Sequence, residues 1–195
     1  LSIAILLAIQ PDIGQTLLVF FTWSVLIFIS GINIVFLIIL FFSLVFIFLY
    51  LIFFIPKFGY IKNRLLSFFD NENGTHNFQS DKAIDSITSG GFFGKGIGEG
   101  TLKNKVPEAH TDYIISVISE EFGVIAIILI LLLFLVFIYS VFKKVYFEND
   151  EKIKLILVGC MSLILMQVII HIGVNIRLFP TTGMTLPYIS YGGSS

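Results

Sequence analysis

The stretch at residues 112–142 starts polar and then stays apolar to its end, long enough to cross a bilayer, for which a helix needs roughly 20 apolar residues. Comparable apolar runs occupy residues 14–30, 34–55 and 153–178, and residues 1–9 make about half of one. Backbone polar groups in lipid must be satisfied within the segment, so runs of this kind commit a chain to helices. Composition agrees, with 56% hydrophobic residues, 13% charged residues and a mean hydropathy of +0.97 over 195 residues. A soluble domain carries about a quarter charged residues. The expectation is an all-α polytopic membrane protein.

Local signals divide the runs. Pro11 stops the helix behind it and Asp12 is placed to cap the next. Gly31-Ile32-Asn33 reads as a turn, and Pro56 ends residues 34–55, with Tyr50 and Tyr60 at an interface. Residues 57–111 are the one extended polar region. Within it, residues 61–69 set Leu65, Leu66, Phe68 and Phe69 beside Lys62 and Arg64, a pattern suited to the membrane surface. A second short helix is expected near residues 78–87. Residues 143–154 read as a short connection with four lysines, which favours the cytoplasm and puts residues 57–111 outside. Residues 179–195 read as a re-entrant turn and the start of a last span.

The chain opens within an apolar run and without Met, and is expected to be part of a longer protein with no cleavable leader. Its one cysteine, Cys160, forms no intrachain disulfide and reads as a packing residue. A net charge of −1 gives no field for nucleic acid.

The candidate site lies at residues 90–123. Glu108, His110 and Asp112 fall within five residues at the mouth of an apolar helix, and ionisable groups there are costly and mark function. At 100° per residue, Asp112, Ser116, Ser119 and Glu120 form one stripe, with Glu120 roughly 12 Å below Asp112. Glu121 points elsewhere and needs its own partner. Desolvated, Glu108 and Asp112 would serve as bases; the competing reading is that they cap the helix. His110 is either a ligand, a proton carrier or an interfacial residue satisfied by backbone. The glycines from Gly90 to Gly100 match neither a P-loop nor G-x-G-x-x-G, and read as a flexible loop. Lys95, Lys103 and Lys105 within it could neutralise a pyrophosphate, and Arg177 closes the last long apolar run, where snorkelling is the simpler reading.

Three motifs occur together: QPDIGQTLLVFF at residues 10–21, GEGTLKNKVPEAHTDYIISVISEEFG at 98–123 and FPTTGMTLPYISYGGSS at 179–195. In order and spacing they resemble the SEDS family of polytopic membrane proteins, and more the division branch than the elongation branch. The resemblance implies part of a ten-span bundle, from the end of the fifth span to the start of the tenth, with one large extracytoplasmic loop. It implies a multi-pass protein of the bacterial cytoplasmic membrane, working at the division septum. Val106 and Tyr113 replace a usual Leu and Phe conservatively. Thr182 stands where a Lys is common, which bars carrying a role to that position.

The family polymerises lipid II into glycan strands, and its essential aspartate matches Asp112. The implied reaction is inverting: Asp112 takes the proton from the acceptor 4-hydroxyl as it attacks C1 of the donor, and undecaprenyl pyrophosphate leaves. The charge developing on that group calls for Lys103, Lys105, Arg177 or a divalent cation (Mg or Mn). Glu108, His110 and Glu120 complete the expected substrate-binding set, and no organic cofactor is expected. The implied partners are lipid II, a class B penicillin-binding transpeptidase, other divisome proteins and membrane lipids. Two other classes remain open, a lipid II flippase and a non-catalytic divisome scaffold.

Overall fold

The computed structural model describes residues 12–54, 59, 62–63, 66, 75–101 and 108–191. Residues 1–9, Pro11 and most of residues 61–69 therefore lie outside the described residues, as do Lys103, Lys105 and Pro107. The described elements are α1 (Ile13–Ile29), α2 (Ile34–Phe54), α3 (Thr75–Gly90), α4 (Ile114–Phe147) and α5 (Glu151–Asn175), with no strand among the described residues. α4 and α5 are both long and apolar enough to cross a membrane, with mean hydropathies of 3.3 and 2.5 in their most apolar windows. The chain is an all-α polytopic membrane protein.

Each helix boundary has a local cause. Asp12 caps α1, its Oδ1 accepting from the Gln15 amide at 3.0 Å. Gly31, at φ 86, reverses the chain, and Asn33 Oδ1 accepts from the Val35 amide at 2.9 Å as α2 begins. α3 runs longer than residues 78–87 at both ends, and Gly91, in the left-handed conformation at φ 59, closes it. α4 extends past residue 142 and α5 starts before 153, so their connection is only residues 148–150. Lys144 lies in the last turn of α4 and Glu151 in the first turn of α5, each with the sign its helix dipole favours.

Packing joins the helices in two layers. α1 lies along α5, and α3 lies along the first turns of α4, which in turn contacts α5. α3 turns Ser80, Ala83, Ser86 and Gly90 inward, a row of small residues three or four apart that lets two backbones approach. The core formed there includes Leu18, Ala83, Tyr113, Val117, Ile170, Val174 and Met184. α2 is different: apart from α1 it has little contact, and its Phe and Ile side chains are exposed along its length. Cys160 is exposed too, rather than packed, in an apolar groove of about 480 Å³ between α1 and α5.

After α5 the chain folds back along it. Gly173 O receives the Leu178 and Phe179 amides at 2.6 and 3.1 Å, and the Phe179 ring sits where a side chain on residue 173 would stand. Further along, Met184 O meets His171 Nδ1 at 2.8 Å and Thr185 O accepts from Gln167 Nε2 at 3.0 Å. The order 173, 171, 167 on the helix against 179, 184, 185 on the segment is that of antiparallel chains.

Candidate functional site

Asp112 sits in the turn of residues 108–113 that leads into α4. That turn is held from outside by three consecutive carbonyls. His110 O accepts from the Tyr191 amide at 3.0 Å, Thr111 O from Ser190 Oγ at 2.8 Å, and Asp112 O from Asn175 Nδ2 at 2.9 Å. Two donors come from the fold-back segment and one from α5, so the Asp112 backbone is fixed by parts of the chain 63 to 81 residues away. Its side chain is buried, at 9% exposure, and lies beside the fold-back segment. A side chain on Gly183, at φ 70, would stand 3.9 Å from Asp112 Oδ2.

Asp112 is not the N-cap of α4. Tyr113 holds that position, with no side-chain cap bond. Asp112 immediately precedes that position, while the Glu108 side chain is exposed and its backbone takes φ 55. Glu108 contributes its carbonyl, which accepts from the Thr111, Asp112 and Tyr113 amides at 3.1, 3.2 and 3.4 Å. The His110 side chain is exposed.

The stripe Asp112, Ser116, Ser119 and Glu120 is buried throughout. It does not line one open cavity. Below Asp112 it is covered by α3: Ser86 Oγ donates to Ser116 O at 3.3 Å, and Ser119 Oγ donates to Ile87 O at 3.4 Å. Glu120, fully buried, accepts from Ser86 Oγ at 3.1 Å and pairs with Lys95 Nζ at 3.3 Å. Glu120 is thus tied to α3 and to the glycine-rich loop, where Lys95 meets its charge. Glu121 finds its separate partner in the same loop, its Oε1 accepting from the Gly98 amide at 3.2 Å.

The glycine-rich loop is not slack. It pairs with the backbone of α4 through Lys95 N to Glu120 O at 2.8 Å and Gly96 N to Glu121 O at 3.0 Å. Those carbonyls are available because α4 breaks at Gly123, at φ 80 and ψ 179. The freed Val124 amide donates back to Gly91 O at 3.0 Å. A Cβ on Gly94 or Gly123 would overlap the other strand's backbone, so both positions need glycine to let the chains touch.

Arg177, at φ 58, donates through Nη1 to Asp81 Oδ1 at 2.7 Å. It ties the end of α5 to α3, and its charge is met by an acid rather than snorkelling. His171 and Asn175 are the positioning residues that sequence reasoning passed over. They are one turn apart on α5; one holds Met184 O and the other holds Asp112 O, so together they set the two backbones that face each other at the carboxylate. The available signal was a His-x-x-x-Asn pair inside an apolar span, where polar side chains are costly. His171 Nε2, Asn175 Oδ1 and Thr182 Oγ1 are buried without a hydrogen-bond partner among the described residues. No three His, Cys, Asp or Glu side chains among the described residues come together as a metal cage.

Glu120→Ala is expected to harm the protein more than Glu121→Ala. The first strips a buried carboxylate from Lys95 and Ser86, a loss of about 3 kcal/mol, while the second removes a half-buried acceptor of the Gly98 amide, worth about 1 kcal/mol. Thermal unfolding of the full-length protein in detergent measures both, and the reverse order would contradict the burial described.

Comparison with known proteins agrees with this architecture. The family of FtsW, RodA and SpoVE, described as "Cell cycle protein", matches residues 1–195. The probable peptidoglycan glycosyltransferase FtsW of Caulobacter vibrioides is 36% identical over 97% of this chain and 48% of its own length. That of Francisella salina is 37% identical over 99% of this chain and 49% of its own. The chain spans about half the length of the curated relatives it matches. A chain in a solved peptidoglycan synthase complex, described for its coordination of polymerization and crosslinking, superposes with a TM-score of 0.79 at 28% identity, over 98% of this chain and 53% of that one. The chain belongs to the FtsW/RodA/SpoVE family of membrane proteins.

Proposed function

We propose that this chain works in a peptidoglycan glycosyltransferase that polymerises lipid II into glycan strands for the division septum, with Asp112 as general base. The observation that carries the reading is a buried carboxylate on a turn whose three successive carbonyls are held by distant segments. Catalysis rewards such fixing, since a base must meet one proton at one place. In the reaction, Asp112 takes the proton of the acceptor 4-hydroxyl while the oxygen forms its bond to C1 of the donor. The C1–O bond to undecaprenyl pyrophosphate breaks on the opposite face, inverting C1. Asn175 and His171 keep the base and the fold-back segment in register during that step. Lys103 and Lys105 are proposed to meet the leaving pyrophosphate; Arg177, already paired with Asp81, is assigned to holding α3.

Charge distribution favours this over a flippase. Residues 124–142 of α4 and 155–170 of α5 contain no Asp, Glu, Lys, Arg or His. A transport path wants polar groups through the full depth of the bilayer, whereas here the ionisable side chains gather at the two ends. In the proposed topology the Asp112 end faces outward, beside a class B transpeptidase. Cysteines placed at Glu99 and Asn149 of the full-length protein test that orientation. An impermeant thiol reagent on intact spheroplasts is expected to label position 99 and not 149, and the opposite pattern would invert the topology.

The activity is tested by adding lipid II to the purified full-length protein and its transpeptidase partner, with that partner's crosslinking blocked. Glycan strands digestible by a muramidase are expected. Absence of polymer from a well-folded, partner-bound preparation contradicts the assignment.

A further inference from the structure

We infer that the tip of the glycine-rich loop is a membrane-contact element: Phe92, Phe93 and Ile97 enter the lipid interface at the Asp112 end of α4. The three side chains are 74%, 84% and 79% exposed, on a loop whose backbone is otherwise tightly bound. An apolar group of that size in water, beside so many glycines, calls for an occupant. The depth of the loop identifies it.

Beyond its break at Gly123, α4 runs on to Phe147, about 36 Å at 1.5 Å per residue, against a hydrocarbon core of about 30 Å. The charge-free part, residues 124–142, is bounded by Glu120 and Glu121 on one side and by Lys143 and Lys144 on the other. At about 28 Å it nearly matches the core, which puts Gly123 at the boundary of hydrocarbon and headgroups. The loop is pinned at that level. Gly91 O and Phe92 O accept from the Val124 and Ile125 amides at 3.0 and 3.4 Å, and Gly96 N donates to Glu121 O. Phe92 and Phe93 thus flank the first turn of the lipid-exposed helix, whose Phe122, Ile125, Ile128 and Leu129 are themselves exposed. The patch continues the exposed apolar surface of α4.

Phe side chains on the apolar face of an interfacial segment bury at this boundary, and the anchoring has a consequence for the site. The same loop carries Lys95 and the Gly98 amide onto Glu120 and Glu121, so its hold on lipid steadies the base of α4 beneath Asp112. This does not depend on which reaction Asp112 serves.

The test uses the full-length protein with its native cysteines, Cys160 included, replaced by serine, and a nitroxide attached at a cysteine at position 93, 97 or 99. The protein is reconstituted into phosphatidylethanolamine–phosphatidylglycerol bilayers, and collision rates with oxygen, which concentrates in lipid, and with a water-soluble nickel chelate are measured. Positions 93 and 97 are expected to favour oxygen over nickel several-fold more than position 99. Equal ratios at all three would put the tip in water and overturn the inference. An immobile nitroxide at position 93, shielded from both reagents, would mean that protein covers the patch, and would overturn it too. Because residues 93, 97 and 99 are all exposed, the labels leave the fold intact.

Discussion

Gly123→Ala is expected to release the glycine-rich loop from α4 and lower stability by about 3 kcal/mol or more, combining backbone strain with overlap. At φ 80 and ψ 179, residue 123 occupies a region open essentially to glycine alone. A methyl group there also meets the Phe92 carbonyl and the Gly94 amide, neither of which can swing aside as a side chain would. Relief requires either straightening α4, which withdraws the carbonyls of Glu120 and Glu121 from Lys95 and Gly96, or pushing the loop away. Gly91→Ala is the control. It has φ 59 and open space around it, so it pays for conformation alone, about 1 kcal/mol. Limited proteolysis between residues 91 and 101, with thermal unfolding in detergent, reads the difference. Equal melting and equal cleavage for the two variants would mean that the loop is not held at Gly123.

The helices were legible in the sequence because their signals are local. Apolar runs of bilayer length, Asp12 as a cap and the turn at Gly31 each depend on a few neighbouring residues, and the helices α1, α2, α4 and α5 stand where those runs are. Their ends moved where charge was taken as a stop. Lys143, Lys144 and Glu151 read as loop residues, yet each suits the helix end it occupies and extends it. α3 was shortened for a related reason: its polar residues carry no strong period, and its small inward row has meaning only against α4.

The site was legible in part. The stripe from Asp112 to Glu120 follows from helical periodicity alone, and all four of its residues are buried. What covers them does not follow. Ser86 and Lys95 reach Glu120 from 34 and 25 residues away, and the glycines read as slack chain because the strand they touch is remote in sequence. The same applies to Asn175, whose partner at Asp112 is 63 residues distant. Glu108, His110 and Arg177 were grouped with Asp112 by nearness in sequence or charge. The structure leaves the Glu108 and His110 side chains exposed and pairs Arg177 with Asp81.

Asp112→Asn is the substitution that bears on the mechanism. It keeps the size of the side chain and leaves the backbone carbonyl on Asn175 in place, while removing the negative charge and with it the basicity. A general base contributes about 10²- to 10⁴-fold, and a thousandfold loss corresponds to about 4 kcal/mol of barrier. A structural role would tolerate the change, since Asn caps about as well as Asp. A flippase would show its defect only across a bilayer. The measurement is therefore made in detergent, with purified full-length protein, its transpeptidase partner and lipid II, following glycan polymer over time. Asp112→Asn is predicted to bind partner and lipid II as the unaltered protein does and to make polymer at least a hundredfold more slowly, the lower end of what a general base contributes. Polymer at a near-unaltered rate would contradict the assignment of Asp112 as the base.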